Sequence, residues 1–188
     1  MYQQQFPIIL ASKSPRRHEL LKLMGLDFTV ELKEVDESYP DNLNPPQIAI
    51  YVAEQKAKAF GNVLGKIVIT ADTIVALDGK ILGKPNDRFH AKEMLKALAG
   101  SKHEVYTGVT LVKDHKMHSF YEITEVVCRE SNDEEIDFYI DNFKPFDKAG
   151  SYGIQDYWGV AVVKSIKGSY TNVMGLPTER LIEELKRF

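Results

Sequence analysis

The stretch IVITADTIVALDGKILGK, residues 67–84, predicts a long strand, a tight turn and a returning strand. Residues 67–77 are rich in β-branched side chains, which favour extended backbone. Asp78-Gly79 is typical of two-residue hairpin turns, because both positions must adopt a positive φ. A tight turn there places Thr73 opposite Lys84 on the returning strand. We therefore expect a central apolar strand with an antiparallel partner.

Helices and strands alternate irregularly on both sides of this hairpin. Apolar runs and alternating patterns predict strands at 6–10, 103–112, 117–128 and 160–166. Helical spacing and capping residues predict helices at 15–24, from 44 onward, at 88–99, after 131 and from 177 onward. Ser131 and Glu134 form the predicted capping box of one of these helices. Residues 1–188 are thus predicted to form a single α/β domain, with a mixed sheet flanked by helices and a cleft.

The charge and cysteine content exclude several classes of protein. The formal net charge is −3 and no long run of one sign occurs, which argues against a nucleic-acid or membrane partner. No segment is apolar for the roughly 18 residues that a membrane span needs, and the first residues lack a secretory signal pattern. Cys128 is the single cysteine and is predicted to be a buried small apolar residue. We expect a cytoplasmic protein.

The segment ASKSPRRHELL, residues 11–21, places two arginines where a helix usually favours carboxylates. Ser14 suits the N-cap and Pro15 the first helical position, so Arg16 and Arg17 occupy the first turn. Each exposed cation there costs roughly 0.3–1 kcal/mol against the helix dipole. One interpretation is a solvated helix turn. The other is a phosphate site formed by loop N–H groups, both guanidiniums and the hydroxyls of Ser12 and Ser14.

Asp72 is unusual because it lies within the most apolar strand of the chain. Burial of a carboxylate lowers the stability of the fold by roughly several kcal/mol unless the carboxylate is paired or bound to a metal. It is therefore either a salt-bridged residue at a strand end or a metal ligand or general base. Lys84 is predicted to lie beside it. Chemistry alone does not distinguish Glu37 from a solvated loop residue, or Lys56 from a solvated helix residue.

The glycine-rich loop AGSYGIQDYWG, residues 149–159, is suited to close backbone approach to another group. Gln155 offers a donor and an acceptor together, which suits the edge of a nucleobase. Tyr152, Tyr157 and Trp158 are either stacking partners for such a base or part of the core. The Walker A, dinucleotide-binding, nucleophile-elbow and zinc-protease signatures are absent from the sequence.

Taken together, ASKSPRRHELL, ADTIV followed by GKILGKP, DKAGSYGIQ and GSYTNVMGLP resemble the Maf family of nucleoside triphosphate pyrophosphatases. The resemblance implies a fold like that of inosine triphosphate pyrophosphatase, with a deep cleft. It also implies hydrolysis of the α–β bond of a nucleoside triphosphate, assisted by a divalent metal, Mg²⁺ or Mn²⁺. A homodimer is expected from the family only.

The same resemblance assigns roles to individual residues. Asp72 matches the family's proton acceptor, and with Glu37 it would hold the metal. The residues that match its other charged cleft positions are Arg17, Glu37, Lys56 and Lys84, and Ser12 and Ser14 are expected to bind phosphate. Those that match positions linked to base choice in the dTTP and UTP branch are Arg16, Thr73 and Gln155.

Three alternatives stay open at this point. The same cleft would suit a nucleotide-binding regulator of cell division with little turnover. A sister branch acts on 7-methyl-GTP, but it departs from the GIQ sequence that Gln155 completes. A phosphotransferase with Asp72 as nucleophile is disfavoured, because the D-x-D-x-[TV] pattern is missing. Asp156-Tyr157-Trp158 and Thr178 depart from the usual family pattern, and the first departure bears on base selectivity.

Overall fold

The computed structural model describes residues 3–188, and within them seven strands form one mixed sheet. The strand order is β2-β1-β3-β5-β6-β7, with β4 paired to β3. The strands are β1 (Ile8–Leu10), β2 (Phe28–Val30), β3 (Ile67–Leu77), β4 (Lys80–Leu82), β5 (Lys102–Lys113), β6 (Lys116–Cys128) and β7 (Val163–Lys167). β1 pairs in parallel with β2 and β3, whereas β3–β4 and β6–β7 are antiparallel.

The helices are α1 (Pro15–Leu23), α2 (Pro45–Lys58), α3 (Arg88–Leu98), α4 (Asp133–Phe143), α5 (Tyr170–Met174) and α6 (Thr178–Arg187). Five of them begin close to the predicted positions, whereas α5 is a short helix that the sequence pattern does not predict. Asn44 caps α2 in a capping box with Gln47, and Asp87 caps α3 by accepting from the His90 N–H. Among residues 3–188, no helix combines the length and apolar character needed to cross a bilayer.

The β3–β4 hairpin has the predicted turn and register. Asp78 and Gly79 adopt φ values of 49° and 78°, as a two-residue turn of this kind requires. Val75 pairs with Leu82, which is the register that places Thr73 opposite Lys84. The ladder ends at Leu82, however, so the predicted pair lies beyond the hydrogen-bonded part of the hairpin.

The chain divides into two compact units. The first contains the chain up to Asp72, residues 107–122 and residues 175–188. One cluster of its core joins β1, α2, β3 and β5 through Ile9, Ala11, Ala57, Val68 and Val112. Gly108 allows the α2 backbone to approach β5, because a Cβ at this position would lie 2.4 Å from the Ala49 carbonyl carbon.

The second unit contains residues 73–106 and 123–174. Its core surrounds the fully buried Trp158 and includes the inner face of α3, formed by Ala91, Leu95 and Leu98. Cys128 is buried there, as predicted, and burial raises the pKa of its thiol to about 11. The expectation of a single domain over 1–188 stays a prediction.

Two local expectations are wrong. Asn132, not Ser131, caps α4 by accepting from the Glu135 N–H, and the Ser131 hydroxyl donates to the Glu135 carboxylate instead. The last strand begins at Val163 rather than at residue 160, because residues 158–162 form a π-helical turn. A short run of small and apolar residues is also compatible with a helical turn, here one with Trp158 and Val162 buried and Val160 exposed, which explains the error.

Candidate functional site

Lys56 brings together three of the predicted site residues in the first unit. Its Nζ lies 2.8 Å from Asp72 Oδ1 and 3.2 Å from Glu37 Oε1. The side chains of Lys56 and Asp72 are each 16% exposed, whereas that of Glu37 is 54% exposed. A single ammonium is therefore shared by two carboxylates, one of them largely withdrawn from water, and the cluster keeps a net negative charge.

The packing of α2 on β3 fixes this arrangement. The Thr70 hydroxyl donates to the Ala53 carbonyl at 2.7 Å, and both residues are buried. Thr70 and Asp72 share a face of β3, while Lys56 lies about one helical turn after Ala53. Thr70 is not predicted from the sequence as a residue that fixes α2 on β3. The signal that identifies it is a polar residue two positions before the carboxylate, on the same face.

Arg17 lies close enough to Asp72 and Glu37 to interact with their charges, and it binds the main chain. Its guanidinium donates to the Ala71 carbonyl at 2.9 Å, to the Gly175 carbonyl at 2.7 Å and to the Ser12 hydroxyl at 3.3 Å. Burial lowers the pKa of Arg17, and the nearby Asp72 carboxylate opposes that effect. Arg17 thus connects the first turn of α1 to the residue that directly precedes Asp72.

The loop before α1 is ordered by its own polar groups. The Ser12 hydroxyl also accepts from the Ser14 N–H at 3.2 Å, and His18 Nε2 lies 2.7 Å from the Ser12 carbonyl oxygen. Ser14 occupies the predicted N-cap, but its side chain makes no capping bond. The first turn of α1 contains no acidic residue, and Arg16 is half-buried there. The positive helix end therefore stays without a protein carboxylate in that turn.

The other predicted residues lie in the second unit. Thr73 follows Asp72 on β3 and is half-buried, and Lys84 is exposed beyond the end of β4. Gln155 is exposed within the glycine-rich loop. Tyr152 and Trp158 are buried in the core, so the interpretation of these two rings as stacking partners for a base is wrong.

The oxygen donors of the first unit suit a hard divalent cation. Among residues 3–188 there is no cluster of three or more acidic, histidine or cysteine side chains that could hold a metal. The carboxylates of Asp72 and Glu37 nevertheless lie close together, because both contact the Lys56 ammonium. Mg²⁺ is typically held by one or two carboxylates together with substrate phosphates and water. The donor set therefore fits a metal whose coordination a polyphosphate would complete.

Comparison with known proteins identifies the family. The family model described as Maf-like protein matches residues 7–188. The chain belongs to the Maf family. A Maf relative from Phocaeicola vulgatus is 49% identical over 187 residues, covering 98% of this chain and 97% of its own length. One from Bacillus anthracis is 50% identical over 182 residues, covering 96% and 95%. Both relatives are named dTTP/UTP pyrophosphatase.

Solved structures share the fold of this Maf protein. The Staphylococcus aureus Ham1 protein matches with a TM-score of 0.54 at 17% identity, covering 96% of this chain and 98% of its own. A HAM1 protein from Coxiella burnetii matches with a TM-score of 0.51 at 16% identity, covering 98% and 100%. At such identities the likeness establishes the fold alone. The predicted mixed sheet flanked by helices, of the inosine triphosphate pyrophosphatase type, is confirmed.

Proposed function

We propose that this Maf protein hydrolyses dTTP and UTP to the nucleoside monophosphate and pyrophosphate. The names of the two relatives, which are about half identical over nearly the full chain, support the substrate class. The observation that carries the chemistry is the ion-pair cluster of Lys56 with Asp72 and Glu37. This cluster of one ammonium and two carboxylates interacts electrostatically with Arg17 in the first turn of α1, a turn that has no acidic residue of its own.

The reaction needs a positioned water and cations that match the growing charge on phosphate. Asp72 accepts a proton from water as the water oxygen attacks the α-phosphorus. The bond from the α-phosphorus to the bridging oxygen breaks, and pyrophosphate leaves with that oxygen. Lys56 orients the Asp72 carboxylate through its 2.8 Å ion pair, while Arg17 holds the Ala71 carbonyl next to it. Positioning and charge stabilisation are the main sources of catalysis in such transfers.

A divalent cation, Mg²⁺ or Mn²⁺, would be held by Asp72 and Glu37. When bound, it would neutralise phosphate oxygens and lower the charge barrier to attack. Lys56 would keep these two carboxylates in position for the metal, since its ammonium contacts both of them.

The remaining predicted residues belong to substrate recognition in this proposal. Lys84, Ser12 and Ser14 would bind phosphate oxygens, and Arg16, Thr73 and Gln155 would recognise the base. The amide of Gln155 suits a uracil or thymine edge, which presents a donor between two acceptors. The single buried cysteine and the nucleotide substrate favour the cytoplasm. The homodimer expected from the family stays a prediction.

A substrate panel tests the proposal. The purified protein is incubated with dTTP, UTP, CTP, GTP and 7-methyl-GTP in Mg²⁺ or Mn²⁺, and pyrophosphate and orthophosphate are measured separately. We expect pyrophosphate from dTTP and UTP in preference to the others. Turnover of 7-methyl-GTP alone would overturn the base assignment. Orthophosphate as first product would overturn the reaction, and tight binding without turnover would favour the regulator of cell division.

A further inference from the structure

Gln155 occupies the tip of a tight turn in the second unit. The Asp156 N–H donates to the Gly153 carbonyl at 3.4 Å, which closes a four-residue turn with Ile154 and Gln155 at its centre. Gly153 and Ile154 are buried, whereas Gln155 is exposed. The conformation of this turn therefore sets the position and direction from which the Gln155 side chain leaves the backbone.

One buried hydroxyl contacts both ends of the turn. The Tyr139 hydroxyl accepts from the Gly153 N–H at 3.1 Å and donates to the Asp156 carboxylate, whose two oxygens each lie at 3.0 Å. Tyr139 belongs to α4 and is fully buried, with its ring 5.4 Å from that of Phe143 and 5.5 Å from that of Trp158. The hydroxyl is thus held by a rigid ring and bridges the first and last residues of the turn.

Steric contacts leave this turn little freedom. A Cβ at Gly153 would lie 2.5 Å from Asp156 Oδ2 and 3.1 Å from Lys148 Cε. A Cβ at Gly159 would lie 1.8 Å from the Ile154 carbonyl oxygen, so the turn packs directly on the helical segment that follows it. Burial raises the pKa of Asp156, while the Tyr139 hydrogen bond and the Lys148 charge oppose that rise. The close packing and the Tyr139 bridge therefore hold the turn in one backbone conformation.

We propose that Tyr139 and Asp156 are positioning residues that set base specificity by fixing the turn of Gln155. The inference rests on the proposed function, in which Gln155 reads the base. Neither residue needs to touch the substrate. Tyr139 acts through the Gly153 N–H and the Asp156 carboxylate, and these hold the backbone on both sides of Gln155.

The chemistry of the bases shows why orientation matters. Uracil and thymine present an acceptor beside the ring N–H donor, whereas cytosine presents an amino donor beside a ring acceptor. A primary amide satisfies either pattern, depending on which way its oxygen and nitrogen face. An amide held in one orientation discriminates between the two patterns. An amide on a mobile turn would rotate and accept both.

The test compares two tyrosines of the same aromatic cluster. Tyr139→Phe removes the bridging hydroxyl. Tyr157→Phe is the matched control, because the Tyr157 hydroxyl also donates to a carboxylate, that of Glu135 at 2.9 Å, which lies outside the turn. The kcat and KM for UTP and CTP are measured below the unfolding temperature of each variant. We expect Tyr139→Phe to lower the UTP preference in kcat/KM about tenfold, through KM, and Tyr157→Phe to keep it within about twofold.

A Gln155→Ala background separates positioning from general damage. If Tyr139 acts through Gln155, Tyr139→Phe leaves the residual preference of Gln155→Ala unchanged. The inference would be overturned if Tyr139→Phe lowered the UTP preference further in the Gln155→Ala background. It would also be overturned if Tyr139→Phe alone left the UTP preference unchanged, or if Tyr157→Phe lowered it equally. If Tyr139→Phe does not fold, Asp156→Asn provides the test and is expected to lower the preference about threefold.

Binding of UMP and CMP, measured by calorimetry on the same variants, distinguishes the two proposals. Wild-type protein that prefers UMP but releases no pyrophosphate refutes the proposed reaction, and the effect of Tyr139→Phe on that preference still decides the inference. Wild-type protein that hydrolyses UTP and keeps its preference in Tyr139→Phe refutes the inference alone. Wild-type protein with no preference between UMP and CMP refutes the inference as well.

Discussion

Lys56 Nζ lies 2.8 Å from Asp72 Oδ1, although the two residues belong to different secondary-structure elements. The pair joins α2 to β3, and the Thr70 bond to Ala53 fixes the same two elements a short distance away. Glu37, from the irregular segment between β2 and α2, contacts the same nitrogen at 3.2 Å. An apolar strand can hold Asp72 because Lys56 compensates the carboxylate that would otherwise be buried alone.

The first prediction concerns the proton acceptor. Asp72→Asn keeps the shape of the side chain and an oxygen that can accept from Lys56, but it removes the basic carboxylate. We expect kcat for dTTP to fall roughly 10²–10⁴-fold, the usual contribution of a general base. The control is Asp78→Asn in the exposed hairpin turn, where Asn tolerates the positive φ of 49°. Near-full turnover in Asp72→Asn would remove Asp72 from the mechanism.

The second prediction concerns the shared cation. Lys56→Gln removes the ammonium that Asp72 and Glu37 share, so both carboxylates lose the charge that positions them and turnover should fall roughly 10–10³-fold. Lys58→Gln is the control, since Lys58 lies on the same helix and only approaches Glu54 at 4.0 Å, with 53% of its side chain exposed. Steady-state rates with dTTP measure both. Equal effects of the two substitutions would contradict a special role for Lys56.

The third prediction concerns Arg17 as a structural connection. Arg17→Lys retains a charge but cannot donate to both the Ala71 and Gly175 carbonyls in the same geometry. Leaving such carbonyls unsatisfied costs roughly 1–3 kcal/mol, so the free energy of unfolding in urea should fall by about that amount. Arg187→Lys, at an exposed position on α6, should change it by less than about 0.5 kcal/mol. An Arg17→Lys protein as stable as the wild type, or an equal loss in Arg187→Lys, would contradict the assignment.

The fourth prediction concerns pH and Glu135. The Arg129 guanidinium, with smaller contributions from Ser131 and Tyr157, lowers the pKa of the Glu135 carboxyl to about 2. The carboxylate therefore contributes stability above its ordinary pKa of about 4.5, and that stability is lost as pH falls towards 2. Because Arg129 is 44% exposed, screening by water limits the contribution to about 1 kcal/mol.

Glu135→Gln should accordingly be less stable than the wild type at pH 7, and the gap should narrow between pH 4.5 and 2. Chemical denaturation across that range measures it. Glu134→Gln, at an exposed neighbouring position of α4, serves as control. A gap that stays constant down to pH 2 would show that ionisation of Glu135 does not contribute.

Local signals explain why much of the fold is predictable from sequence. Asp78-Gly79 specifies a turn with two positive φ values, and that turn alone determines the register from Leu77 back to Val75. Asn44 begins α2 because its side chain and that of Gln47 satisfy helix N–H groups reciprocally. Each of these features depends on residues close together in the chain.

The features that local signals miss depend on residues distant in the chain. Lys56 looks like an ordinary helix residue until α2 packs on β3 and brings it to Asp72. The bridge from Tyr139 to Asp156 likewise forms only when α4 packs against the glycine-rich loop. The error at the cap of α4 amounts to one residue, since Ser131 and Asn132 are both good N-cap residues. Asn132 caps the helix because the Ser131 hydroxyl donates to the Glu135 carboxylate instead.

The most direct test of the account is the fate of the water oxygen. The wild-type protein is allowed to hydrolyse dTTP in water enriched in oxygen-18. The products are then separated and their masses are measured by mass spectrometry. Attack at the α-phosphorus predicts the label in dTMP and none in pyrophosphate. Label in pyrophosphate, or release of labelled orthophosphate, would contradict the mechanism assigned to Asp72 and its partners.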